Sequence, residues 1–338
     1  MKFKKIILGI IAIVLIFAIC FVAIKGGKKA EKSGKIQVVT SNFACYDFLR
    51  AIVGDSDNIE LVYIMGPGKD AHSYDPTAQD IVKIQDANLF VYVGGEMEKW
   101  SEKVLEAIND KDKKVVCIAD FVDTIDEKEV DGAEEEEHEH HDHDDDEDEE
   151  DHEHHHEHEE GAFDEHIWTS PENAKKMVRA LEKKIIELDG ENAEKYKANA
   201  EKYIAQINEV DKKIQDVVDN KKRDRLVFAD KMPMQYFIDY YDLKVTAAFN
   251  GCSTETEPSA KTIAYIEKTV KNEKIPVVLY IELNDGKVAK TIANEIGNNC
   301  EAIQIQTLHN VSLEDFNNGE TWVSLMNKNV EVLRKALQ

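Results

Sequence analysis

No C-x-x-C pair occurs among the five cysteines of this 338-residue chain, so cysteine spacing offers no thiolate metal site. Outside one acidic run there is no H-E-x-x-H, and nowhere a G-x-S-x-G nucleophile elbow. A metallohydrolase or a serine hydrolase would therefore lack its usual machinery. No basic stripe offsets the formal net charge of −26, which disfavours nucleic acid as a partner. Histidine is scarce as well. Of twelve, only His72, His166 and His309 lie outside the acidic run. Cys45, Cys117, Cys252 and Cys300 are read as buried free thiols or one disulfide pair, without a catalytic role.

The run itself, Glu134–Glu160, contains only Asp, Glu and His. Its eighteen carboxylates leave just −8 for the rest of the chain, an ordinary surface charge. A segment that repels itself and has no apolar side chain to bury is expected to be a disordered loop. A purely acidic run would be read as a solvated spacer. This one carries His138, His140, His141, His143, His152, His154, His155, His156 and His158, and imidazoles among carboxylates trap borderline divalent metals, zinc first.

At the amino end, Met-Lys-Phe-Lys-Lys precedes an uncharged apolar stretch from Ile6 to Ile24. As a helix it would be about 28 Å long, enough to span a hydrocarbon core. Its basic flank comes first, which puts the residues after Lys25 outside the cytoplasm. Residues 1–24 read as a signal or membrane anchor, and 25–35 as a flexible charged linker. Cys20 offers lipidation as a second route to the membrane, although Phe17-Ala18-Ile19 lacks the small residue expected before the cleavage point.

From Ile36 onward, short apolar strands alternate with amphipathic helices, the pattern of right-handed crossovers and mainly parallel sheets. Residues 36–190 form one α/β lobe, with the loop 134–160 inserted, and 225–338 form another. Between them, Tyr196, Ala200, Tyr203, Ile207, Val210, Ile214 and Val217 recur in steps of four and three along residues 191–219. Such a seam can form a coiled-coil dimer. Flanked by two α/β halves, it predicts instead one long rigid helix joining two similar lobes.

Ligands of open α/β sheets bind beyond the carboxyl ends of the strands. His72 follows the second strand, His166 follows the acidic loop, and His309 comes four residues after the last strand. Asp230 ends the first strand of the second lobe. All four are expected to converge in the cleft between lobes. Three imidazoles with a carboxylate or water make a tetrahedral zinc set.

Gly66-Pro67-Gly68-Lys69-Asp70-Ala71-His72-Ser73-Tyr74-Asp75-Pro76-Thr77 and Asp164-Glu165-His166-Ile167-Trp168 are similar to ligand motifs of the ZnuA-type solute-binding components of zinc and manganese ABC importers. Ser253-Thr254-Glu255-Thr256-Glu257-Pro258-Ser259 resembles a structural motif of that family, and the acidic His loop resembles that of its zinc-specific members. The resemblance covers residues 36–338 and implies His72 and His166 as ligands. It departs at Lys231, which occupies an expected ligand position, and at Thr169-Ser170-Pro171. An ammonium cannot coordinate a metal. His309 and the neighbouring Asp230 are therefore the replacements, with Glu282 and Glu257 as weaker candidates. The resemblance implies a monomeric, membrane-tethered, extracytoplasmic zinc receptor, not an enzyme, which delivers Zn²⁺ to an ABC permease and its ATPase. Three histidines favour zinc over manganese. The alternative is a surface metal buffer or adhesin acting through the loop.

Overall fold

A computed structural model describes residues 34–108, 114–133, 163–251, 253, 257–297 and 299–338. The expected anchor at 6–24, the linker up to residue 33 and the acidic run 134–160 with its nine histidines lie outside them. Among the described residues, no helix is long and apolar enough to cross a membrane. All the elements below belong to one unit, Ile36–Gln338.

The first half contains β1 (Ile36–Thr40), α1 (Phe43–Val53), β2 (Ile59–Tyr63), α2 (Ala78–Asp86), β3 (Leu89–Tyr92), α3 (Lys99–Ile108) and β4 (Val115–Cys117). Its strands form one parallel sheet in the order β2-β1-β3-β4. Two helices follow, α4 (Pro171–Leu188) and α5 (Ala193–Asp219). The second half contains β5 (Arg225–Met232), α6 (Gln235–Tyr240), β6 (Lys244–Asn250), α7 (Ala260–Glu273), β7 (Val277–Ile281), α8 (Lys287–Ile296) and β8 (Glu301–Ile305). These strands repeat the first plan as β6-β5-β7-β8, again parallel. The short α9 (Leu313–Asn317) and α10 (Trp322–Leu337) close the chain. In each sheet the path runs outward from the first strand and then crosses back over it, which leaves a crevice at the carboxyl ends.

Local chemistry places the ends of the helices. Asn42 caps α1 by accepting from the N–H groups of Ala44 and Cys45. Ser170 caps α4, with Pro171 in the first turn where its missing N–H costs nothing. Helix α5, 27 residues long, buries all seven residues of the predicted seam. It lies against α1 and α4 of the first half and α10 of the second, so the stripe is consumed within the chain. Asp47 fastens this junction. Buried on α1, it accepts from the N–H of Trp322 at 2.7 Å and from the hydroxyl of Tyr203 on α5. One apolar core runs through both halves beneath these helices, while α2 and α3, and separately α7 and α8, cover the outer sheet faces.

Strand β5 extends to Met232, beyond its expected end at Asp230, and its register slips between Phe228 and Lys231. Two steps of β6 then face three of β5, a bulge that carries Asp230 and Lys231. The stretch leading to the acidic run also crosses between halves. Ile125 N–H donates to the Tyr236 hydroxyl, Val130 N–H to Asn250 Oδ1, and Asp131 accepts from Ala247 N–H at the β6 edge. Cys45, Cys117 and Cys300 are free thiols, and Cys252 lies outside the described residues.

Candidate metal centre

Three turns bring three histidines to one point. His72 lies in a 3₁₀ turn, Ala71–Ser73, whose N-cap Asp70 accepts from the His72 N–H at 2.9 Å. Before it, Gly68 adopts φ 77°, in the left-handed region, and donates its N–H to Val311 O at 2.8 Å. The His72 loop is thereby stitched to the loop that carries His309.

His166 is held by Asp164. One carboxylate oxygen accepts from the backbone N–H of His166 at 2.8 Å and lies 3.0 Å from its Nδ1. With Nδ1–H donating there, the lone pair remains on Nε2. The adjacent Glu165 accepts from Met97 N–H at 2.7 Å. A Cβ at Gly95 would come within 2.3 Å of the Glu165 side chain, so glycine there lets the segment lie on the end of the first sheet.

His309 follows Leu308, whose φ of 58° is uncommon for leucine. The surrounding loop supports that conformation. Buried Glu282, just past β7, accepts from Thr307 N–H and hydroxyl at 2.8 Å each and from Asn310 N–H at 3.1 Å. Trp168 donates its indole N–H to Thr307 O at 3.0 Å, and its ring lies nearly parallel to His309, at 12°.

The imidazole centroids are 4.7 Å apart for His72 and His309, 5.0 Å for His166 and His309, and 5.7 Å for His72 and His166. One ring nitrogen from each lies within 4.8 Å of the other two. All three Nε2 atoms are buried without a hydrogen-bond partner. An unpaired buried polar atom is costly, and three that converge form a donor set awaiting an acceptor of lone pairs.

The electrostatics divide the set. Burial, reinforced by the neighbouring His166, lowers His72 to about 4. Burial and the other two rings hold His309 well below the ordinary histidine range. Burial would lower His166 too, but the Asp164 carboxylate outweighs it and His166 is raised. Two of the three are therefore neutral at physiological pH, as coordination requires.

Of the four residues expected to converge, Asp230 stays out. One of its oxygens takes the Lys231 N–H at 2.8 Å and the other the Ile281 N–H at 3.1 Å, so it ties the β5 bulge to the end of β7. Glu282 is likewise committed to its loop. Glu257 lines an open cavity of about 570 Å³ with Asp70, Asp230, Lys231, Glu282 and His309. Lys231 pairs with Asp70 rather than with Asp230, its Nζ lying 3.8 Å from Oδ2. Sequence reasoning missed Asp164 as the partner of His166, although the D-x-H spacing carried the signal.

A profile of the family described as zinc-uptake complex component A, periplasmic (ZnuA), matches residues 38–336. The high-affinity zinc uptake system protein ZnuA of Bacillus subtilis is 31% identical over 329 residues, which are 97% of this chain and 96% of that protein. The zinc-binding lipoprotein AdcA of Streptococcus pneumoniae is 31% identical over 318 residues, 94% of this chain but only 58% of that longer protein. The Zn(II)-bound ZnuA-like domain of Streptococcus pneumoniae AdcA superposes with a TM-score of 0.69 at 27% identity, covering 90% of this chain and 99% of that one.

Proposed function

The chain belongs to the ZnuA family of periplasmic zinc-uptake components, and on that premise we propose that it is an extracytoplasmic zinc receptor whose ligands are His72, His166 and His309. The observation that carries this reading is the convergence of three buried, unpartnered Nε2 atoms. Neutral imidazole is a good zinc donor, and an all-nitrogen set favours zinc over manganese. A fourth position, filled by water, would face the open cavity.

Capture is reversible coordination. The ion finds His72 and His309 neutral, takes the Nε2 lone pair that the Asp164 contact leaves on His166, and ties the first half to the second through its ligands. Delivery to a membrane ABC permease and its ATPase follows when docking separates those ligands. The protein is read as a monomer held at the membrane by residues 6–24 or by a lipidated Cys20. The lipoprotein name of the streptococcal relative supports an anchor of this kind. The nine histidines of residues 134–160 would raise the local metal concentration or act as a low-affinity reservoir.

Those same histidines support a second reading, a surface metal buffer that works through the run itself. Calorimetric zinc titration of residues 34–338 lacking 134–160, beside the same chain with His72→Ala, separates the two. One tight site that disappears with His72→Ala is the expected result. No tight site without the run would replace the receptor with the buffer.

A further inference from the structure

Lys231 lines the cavity onto which His309 opens, with a charge opposed to any metal held there. It lies on the β5 bulge, its side chain is 8% exposed, and it lines the same cavity as His309 and Asp70. Among the described residues its one ion pair is loose, 3.8 Å to an Asp70 carboxylate that is 43% exposed. Solvent screens that exposed anion more than it screens the buried cation, so the pair does not cancel at the metal position. A side chain that merely filled the corner would have no need of a charge there.

We infer that Lys231 limits the affinity of the site and speeds metal release: it is a tethered cation on the second half that opposes Zn²⁺ held by His72, His166 and His309. The inference rests on the assignment of those three as ligands. Asp70 positions the device, since one of its oxygens holds the His72 turn and the other faces the ammonium. Affinity and release are thus set by a charge that coordinates nothing.

The test uses the full chain at less than one equivalent of zinc, so that the tight site fills first. Affinity is read by competition with a chromogenic chelator, and the release rate by stopped flow into excess chelator. Lys231→Met keeps the aliphatic length and removes the charge, and is expected to bind at least about tenfold tighter and release correspondingly slower. Lys231→Arg keeps the charge and should stay within about threefold of the parent. Thermal melting of each metal-free variant reports that it is folded. Lys231→Met that is folded yet binds no tighter than the parent overturns the inference. A parent without a tight site, or one whose tight site survives His72→Ala, overturns the ligand assignment and this inference with it.

Discussion

His166 and His309 are both fully buried, both present Nε2 to the same point, and are supported in opposite ways. His166 leans on a carboxylate, Asp164, at 3.0 Å. His309 leans on an amide, with Asn310 Nδ2 3.4 Å from its Nδ1 and Asn310 Oδ1 left without a partner. Turning that amide brings its oxygen to the ring, so that Nδ1 donates and Nε2 keeps its lone pair, as in His166. The difference lies in charge. Asp164 is an anion that raises the basicity of one imidazole, whereas Asn310 gives the other an uncharged partner. A binding site can thus be built from identical ligands with separate control over orientation and protonation.

The largest expected effect tests what the two share. His166→Ala and His309→Ala should each weaken zinc binding more than about a hundredfold, beyond what outer-shell changes cost, as read by chelator competition. A variant that kept its affinity would remove that residue from the site. The partners should then differ. Asp164→Asn is expected to lose about 10–100-fold in affinity, whereas Asn310→Ala should lose less than about tenfold, because only the first removes a charge.

Stability divides the pair further. In the metal-free protein, His309→Leu removes an unpaired buried nitrogen and should stabilise the fold by about 1 kcal/mol. His166→Leu strips Asp164 of its imidazole and should destabilise by about 1–3 kcal/mol. Melting temperatures that moved in the same direction would contradict the asymmetry. The smallest effect is in protons. His72 and His309 are lowered and His166 is raised, so binding near pH 7 should release far fewer than three protons, with His166 their main source. Affinity should therefore fall with a slope near one as pH drops through the raised His166 value. It should fall more steeply toward pH 4, where His72 begins to take up protons. Calorimetry in buffers of different ionisation enthalpy measures the count, and a release of three would mean that the rings are not neutral beforehand.

What could be read from the chain divides along physical lines. Strand–helix alternation, the seam on α5 and the three strand-end histidines depend on periodicity and composition, and all were legible. Asp230 lies within a bulge of β5 rather than at the end of the strand, and nothing in Phe228–Met232 announces that bulge. The loop around His309 was also hidden. Its anchor Glu282 lies just past a different strand, β7, and a buried carboxylate that accepts three bonds looks in sequence like any surface acid. The crossing of Ile125–Asp131 to the second half depends on Tyr236, Asn250 and the β6 edge, partners more than a hundred residues away. The short α9 escaped because five residues leave no periodic trace.

Asp47 joins a helix begun at residue 43 to one begun at residue 322. A polypeptide that grows from its amino end therefore makes this carboxylate and its Arg50 partner early, and must reach residue 322 for the N–H that completes its bonds. The first half cannot finish as an independent folding unit, and the nascent chain should remain protease-sensitive until α10 has been made. Ending the chain before Thr321 should leave α1 and α5 digestible even though every residue of the first sheet is present. A truncated chain that resisted limited proteolysis would show that the first half completes itself.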